Sequence, residues 1–521
     1  MLRTQLAADP RGRYVHDLVF HSASRFPQNT ALVDSSCGRR FTYAEYAQTV
    51  EGLARGLVTA GLQPGEPVAI FHANAWEFCA TYHAATLAGG FTTLLNPTYR
   101  EREVRYQLET SGAAILVTDG PNIEGINLSG LPKLRRVYTT RSHAGHGDFA
   151  SLLRPTSSSL PALSQPSEQA IAALPFSSGT TGLPKGVMLS HHNLVANVFQ
   201  VLGPGAACFP PQDVVLCFLP LYHIFGLNVG LNTILASGAT LVLMPRFHAP
   251  ALTGLLASER VTMMPIVPPA INALCQLAEA GDFPKNHSVR WVKSGAAPLA
   301  PDLARRFTSL TGILVRQGYG MTEASPVTHL GFLEPDLYRP ESIGQPLAQT
   351  ECRVLDESGR DVPLGQPGEL VMRGPQFMMG YWDNPQATAD VLRDGWYWSG
   401  DIVSRDEQDF YYVLDRRKEM IKYKGFPVAP AEIEAVLLEH PAIRDCGVVG
   451  RNDLAAGEIP VAFVVLRDGF VSGKKLEQEV CAFVAERLTH YKQPREVRFI
   501  DSVPKTPSGK ILRRELRKEF S

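Results

Sequence analysis

Apolar positions Tyr43, Tyr46, Val50, Leu53 and Leu57 recur at helical spacing and stop at Gly61 and Pro64, which predicts an amphipathic helix over about 42–62. Beyond it, short β-rich runs (VAIF at 68, FTTLL at 91, AILVT at 114) are separated by helical patterns near 77–88 and 100–111. Such alternation predicts parallel strands joined by crossover helices. A Ser/Pro/Leu-rich stretch within 143–168 interrupts it as a connection. The pattern resumes with VVLCFLP at 214, a helix from Gly226, TLVLM at 240, a helix near 250 and VRWVKSG at 289. From about 340 to 415, turns and β-runs (ECRVLD, GELVMRG, FYYVLD) predict a β-subdomain. A basic, glycine-bearing turn, DRRKEMIKYKGF, leads into helices over 430–439 and 474–488 with strands near 446–449, 461–466 and 496–500. The fold class is therefore α/β. A large N-terminal domain, 1–415, carries α/β sheets and the β-subdomain, and a small α+β C-terminal domain follows over 416–521.

Length, at 521 residues, requires more than one core. A 45% hydrophobic, 19% charged chain of net charge −1 is globular and not built for nucleic acid. Its last fifty residues nevertheless carry more Lys and Arg than Asp and Glu, which suits either a solvated face or a polyanionic substrate. The eight cysteines show no CxxC and no cluster with histidine, which fits reduced thiols better than disulfides or zinc. No run is apolar enough to cross a membrane, the N-terminus lacks a signal-peptide core, and the final Glu-Phe-Ser is not a peroxisomal address. A cytoplasmic location is expected, and the oligomeric state stays open between monomer and homodimer.

One stretch changes the picture. Ser177 to His191 reads SSGTTGLPKGVMLSH, in which glycines allow backbone N–H groups to converge on an anion while hydroxyls and one lysine line the approach. Ser177, Ser178, Gly179, Thr180, Thr181, Gly182 and Lys185 are thus candidates for a polyphosphate cradle, placed between a strand over Ile171–Phe176 and a helix over His191–Phe199. It is not the common GxxxxGK[ST] loop, because Lys185 sits between Pro184 and Gly186. QGYGMTE adds a ring at Tyr319, a hydroxyl at Thr322 and a possible magnesium ligand at Glu323. WYWSGD ends on Asp401, suited to ribose hydroxyls, and Arg416 lies in DRRKE; PSGK places Lys510 on a Ser-Gly turn entering a helix.

In this order SSGTTGLPKG, PLYHIFGL, SGAAPL, QGYGMTE, GELVMRG, YWSGD, DRRKEMIKYKGF and PSGKILR resemble the adenylate-forming superfamily, over about residues 30 to 518. GELVMRG and KYKGF look most like the branch of acyl-CoA synthetases and 4-coumarate–CoA ligases. The resemblance implies an acid–thiol ligase with ATP, a carboxylic acid and coenzyme A as substrates and Mg²⁺ as cofactor. ATP first makes an acyl adenylate and pyrophosphate, and CoA thiolate then displaces AMP. It also implies roles. Gly295, Ala296, Ala297, Gln317, Gly318, Tyr319, Gly320, Met321 and Thr322 would surround AMP, with Asp401 and Arg416 on the ribose; Thr180 and Glu323 would sit near the metal. Lys510 would bridge the α-phosphate and the carboxylate, and a lysine's ordinary pKa of about 10.4 leaves a wide margin of charge at pH 7. Lys418 would be the hinge of a mobile C-terminal domain. After its rotation Lys422, Lys424 and Gly425 would line the pantetheine path, and Arg246 would meet a CoA phosphate.

The acid side departs from plant 4-coumarate ligases, whose HIYxLNS places Tyr and Ser against a phenolic hydroxyl; here the run is HIFGLNV. Phe225 and Val229 offer that hydroxyl nothing, and leaving it unpaired would cost roughly 1–3 kcal/mol. The expectation is an apolar acid, a medium- or long-chain fatty acid first and a cinnamate-type aryl acid second. His223, Phe225, Val229, Gly295, Gly320, Pro326 and Val327 would line the acyl pocket, with Gly295 and Gly320 leaving its width. A carrier-loading acyl-AMP ligase is a further alternative, although the insertion such enzymes usually carry is not evident between Asp401 and Arg416. A non-catalytic binder ranks below it, since Glu323, Arg416 and Lys510 are all present.

Overall fold

A computed structural model describes residues 12–154, 158–163, 166–177, 184–203, 209–416, 419–423, 426–453, 456–506 and 509–520. Ser178, Gly179, Thr180, Thr181, Gly182, Lys418, Lys424 and Gly425 lie outside the described residues.

Two large sheets form the N-terminal part. An eight-stranded sheet runs in the order Gly380–Tyr381, Lys185–Ser190, Ile171–Ser177, Phe91–Leu94, Pro67–Phe71, Ile115–Thr118, Arg136–Thr139, Gly147–Asp148. Its central strands Phe91–Leu94, Pro67–Phe71 and Ile115–Thr118 pair in parallel and are buried along their whole length, as strands covered on both faces are. The nine-stranded sheet is ordered Gln345–Pro346, Val327–Leu330, Leu314–Gly320, Trp291–Ser294, Met263–Ile266, Val214–Cys217, Thr240–Leu243, Thr30–Asp34, Arg39–Thr42. One core unites the two, and the helix Trp76–Leu87 is buried around nearly its full circumference. The helix expected over 42–62 spans Tyr43–Thr59, closed at its start by a capping box of Thr42 and Glu45.

Three local features differ from the sequence reading. The cradle does not open a helix: Lys185–Ser190 is a strand antiparallel to Ile171–Ser177, with Lys185 opposite Ser177, and the helix His191–Leu202 begins only after it. Of the cradle, Ser177 and Lys185 therefore face each other across two antiparallel strands, and the helix starts six residues beyond Lys185. The helix from Gly226 is a π-helical turn, Phe225–Asn232, before α-helix resumes at Thr233–Ser237. Gly226 is required there, because a Cβ would lie 2.3 Å from the Pro220 carbonyl oxygen. Finally, Lys510 sits in a turn closed by a bridge between Lys505 and Ile511, two residues clear of the helix Arg513–Arg517.

The β-subdomain sheet is built from Glu351–Leu355, Gly368–Arg373, Trp396–Arg405, Leu392–Arg393 and Tyr411–Arg416. The C-terminal sheet pairs Phe426–Val428, Ile421–Tyr423, Gly457–Leu466 and Ile443–Asp453, with Glu496–Phe499 alongside, between two small cores of its own. Asp415 spans the two parts: its Oδ2 accepts from the Ala431 backbone N–H at 2.9 Å, in the first turn of the helix Pro430–Leu438.

Candidate active site

Strand pairing builds the nucleotide corner. Trp396–Arg405 and Tyr411–Arg416 run antiparallel with Asp401 opposite Arg416, so carboxylate and guanidinium meet with Oδ1 3.3 Å from Nε. The other oxygen, Oδ2, accepts the Tyr319 hydroxyl at 2.5 Å. Tyr319 lies on Leu314–Gly320 beside His329, half-buried, and the hydroxyl contact adds to what its ring alone suggested. Gln317 donates to the Ser342 carbonyl at 3.2 Å, and its own side-chain oxygen is buried without a partner among the described residues. Ala296 adopts φ of 70°, a region that non-glycine residues seldom enter and that clusters at ligand sites.

At the phosphate end Ser177 and Lys185 are the described members of the cradle, and the Lys185 ammonium lies 5.0 Å from the centre of the Tyr381 ring. Glu323 follows Thr322 in a short 3-10 turn, Thr322–Ala324, and is buried. Its Oε1 accepts the Tyr381 hydroxyl at 2.8 Å, and no described lysine or arginine comes within ion-pair contact of it. A buried carboxylate oxygen without a cation fits a hard divalent ion such as Mg²⁺.

Lys510 comes to this corner from the other domain. Gly509, at φ of 88°, packs so closely on Pro269 that a Cβ would stand 2.5 Å from its Cγ. The charges acting on Lys510 are Arg416, Asp401, Glu419 and Glu323, which places its ammonium among the nucleotide residues. Burial, with Arg416 adding to it, lowers its pKa to about 8. The wide margin of charge expected from an ordinary lysine is therefore cut to about one unit. Lys422 is exposed on Ile421–Tyr423 and is not among those charges.

The Phe225 ring faces Gly295, where a Cβ would approach it to 3.2 Å. Val229, Pro326 and Val327 are buried. Gly320 does not leave width: its Cβ position is 1.9 Å from the Pro326 carbonyl oxygen, so glycine is needed for the close backbone crossing. His223 is exposed at its edge, yet desolvation by the protein packed around it lowers its pKa to about 4, so the ring is neutral at pH 7. Asn228 fixes this wall by donating to the carbonyls of Ser325 (2.6 Å) and Leu194 (3.2 Å).

Residues 19–382 match the AMP-binding enzyme family and residues 432–510 the AMP-binding enzyme C-terminal domain. The chain belongs to the AMP-binding enzyme family. It is 37% identical to 4-coumarate–CoA ligase 5 of Oryza sativa subsp. japonica over 97% of this chain and 94% of that one. It is 38% identical to 4-coumarate–CoA ligase 1 of Narcissus pseudonarcissus over 96% and 93%. The solved anthranilate CoA ligase in complex with anthranoyl-AMP superposes with a TM-score of 0.88 at 26% identity, covering 99% of both chains. This AMP-binding enzyme is an AMP-forming acid–CoA ligase that uses ATP and coenzyme A. Both of these relatives are 4-coumarate–CoA ligases, not fatty-acid ligases.

In the AMP-binding enzyme, Arg246 lines a cleft of about 450 Å³ together with Ser35, Ser36 and His248, apart from the nucleotide corner. Among the described residues no helix is long and apolar enough to cross a membrane. Sequence reasoning missed Tyr381 and Asn228. Both sit in apolar runs whose periodicity says only that they are buried; their partners are distant in sequence.

Proposed function

We propose that this ligase activates a flat aryl or arylacrylic acid of the cinnamate type rather than a fatty acid. The observation that carries it is the Phe225 ring set against Gly295, an aromatic wall at the acid end of a site whose relatives take 4-coumarate by name. Phe225 and Val229 still provide no partner for a para-hydroxyl, so cinnamate and weakly polar aryl acids suit this wall better than 4-coumarate itself.

In the proposed first step Tyr319 and the backbone around Gly295 and Ala296 hold adenine, and Asp401 and Arg416 hold the ribose. The cradle and Lys185 receive the β- and γ-phosphates. A magnesium ion held by Glu323 and Thr180 would offset phosphate charge. Lys510 stands between carboxylate and α-phosphate, two anions whose approach needs a fixed positive charge. Neutral His223 borders the acyl group. For the second step the C-terminal domain turns about Lys418, which removes Lys510 and brings Lys422, Lys424 and Gly425 to the pantetheine path, with Arg246 on a CoA phosphate.

The test is a panel of cinnamate, 4-coumarate, benzoate, octanoate and palmitate with ATP, Mg²⁺ and CoA, followed by AMP and thioester release. Cinnamate should give the highest kcat/KM, and Phe225→Tyr with Val229→Ser should shift preference toward 4-coumarate. A fatty acid as best substrate would overturn the aryl assignment, and pyrophosphate without thioester would overturn the CoA acceptor.

A further inference from the structure

Tyr381 belongs to no motif that the proposed reaction uses, yet it touches two of its residues. Its hydroxyl donates to Oε1 of Glu323 at 2.8 Å, and its ring faces the Lys185 ammonium at 5.0 Å. The other carboxylate oxygen, Oε2, has no hydrogen-bond partner among the described residues. One oxygen is thus held by the protein and one is left over.

Backbone contacts show that this arrangement is built. Gly380 and Tyr381 pair antiparallel with Met188 and Val187, extending the sheet beside the strand Lys185–Ser190. Met378 N–H donates to the Glu323 carbonyl at 2.8 Å, and Trp382 N–H to the Gly186 carbonyl at 2.8 Å. Tyr381 N–H donates to the Thr388 hydroxyl at 2.9 Å. Gly380, at φ of 146°, leaves room for Thr388, whose methyl would stand 2.8 Å from any Cβ there. The segment is therefore tied to the cradle strand on one side and to the Glu323 turn on the other, and the phenol is buried between them. Burial and the Glu323 charge hold that phenol well above its ordinary pKa, so it stays a donor across the working range.

We infer that Tyr381 is a positioning residue: its hydroxyl fixes the Glu323 carboxylate in the rotamer that turns Oε2 toward the nucleotide's divalent cation, while its ring orients Lys185 toward the phosphates. A glutamate free to rotate would lose side-chain entropy on binding the cation; one already hydrogen-bonded does not. The inference rests on the assignment of Glu323 to that cation.

The experiment measures ATP binding to purified protein by calorimetry, without acid, across a Mg²⁺ series and in EDTA. Tyr381→Phe keeps the ring and the packing and removes only the hydroxyl. It should raise the Mg²⁺ midpoint roughly 10- to 100-fold, as loss of a ligand-orienting partner does, while leaving ATP affinity in EDTA within about twofold of wild type. Glu323→Gln should raise the midpoint at least as much, and adding Tyr381→Phe to it should change nothing further. Tyr381→Leu, which also removes the ring, should in addition weaken ATP binding in EDTA. A wild-type midpoint in Tyr381→Phe, with Glu323→Gln shifted, would overturn the positioning role alone. Wild-type midpoints in both would overturn it together with the Glu323 assignment.

Discussion

Lys510 and Lys293 both have lowered pKa values, in each case through burial first and a neighbouring arginine second. Lys510 comes down to about 8 through burial and Arg416, with Asp401, Glu419 and Glu323 holding it up. Acid adenylation that needs its charged form should be fully present below that value and fall as pH rises through about 8, a profile read by pyrophosphate release between pH 6.5 and 9.5. Lys293 lies on Trp291–Ser294 against Gly318 and beside Arg316, and its ammonium has no hydrogen-bond partner among the described residues. Burial lowers its pKa to about 7. The unfolded chain therefore binds a proton that the folded one does not between about pH 7 and 10.5, and in that window this residue makes stability increase with pH. Lys293→Met, which keeps the length of the stem and removes the charge, should raise the melting temperature at pH 7 and flatten its rise toward pH 10. Lys510 was legible from PSGK in family order. Neither pKa was, because each is set by groups far away in sequence.

Among elements, periodicity succeeded where a segment's own face decides its structure. The helix Tyr43–Thr59 is an example, since apolar spacing and the Thr42/Glu45 box are both local. Thr42→Ala should cost about 1 kcal/mol of local stability, read as roughly fivefold faster amide exchange in the first turn. The strand Lys185–Ser190 and the π-turn Phe225–Asn232 were not legible. In the first, KGVMLS is a strand because it pairs with Ile171–Ser177. In the second, Gly226 lies against Pro220 and Asn228 reaches Ser325, contacts that sequence spacing does not show. Gly320, expected to leave width for the acid, serves the close backbone crossing with Pro326.

At the scale of the whole molecule, buried neutral histidines and the seating of the C-terminal domain set behaviour. Burial lowers His83 to about 4 and His191 and His329 to about 3, all below the unfolded value near 6.5. Their contribution is present above pH 6.5 and is lost as pH falls toward 4, so the urea midpoint should drop steeply between pH 6.5 and 4.5. The C-terminal domain is seated with Gly509 on Pro269 and Lys510 among Arg416, Asp401 and Glu323, the arrangement suited to the first step. Motif order foretold the two domains, but which way the small one faces depends on contacts across the interface, and those the sequence does not show. The most direct measurement of the account separates the two half-reactions in Lys510→Ala. Adenylation, followed by pyrophosphate release with acid and MgATP, should fall by about 10²-fold or more, while thioester formation from pre-made acyl adenylate and CoA should stay within a few-fold of wild type. Equal loss of both would contradict the assignment of Lys510 to the adenylation step.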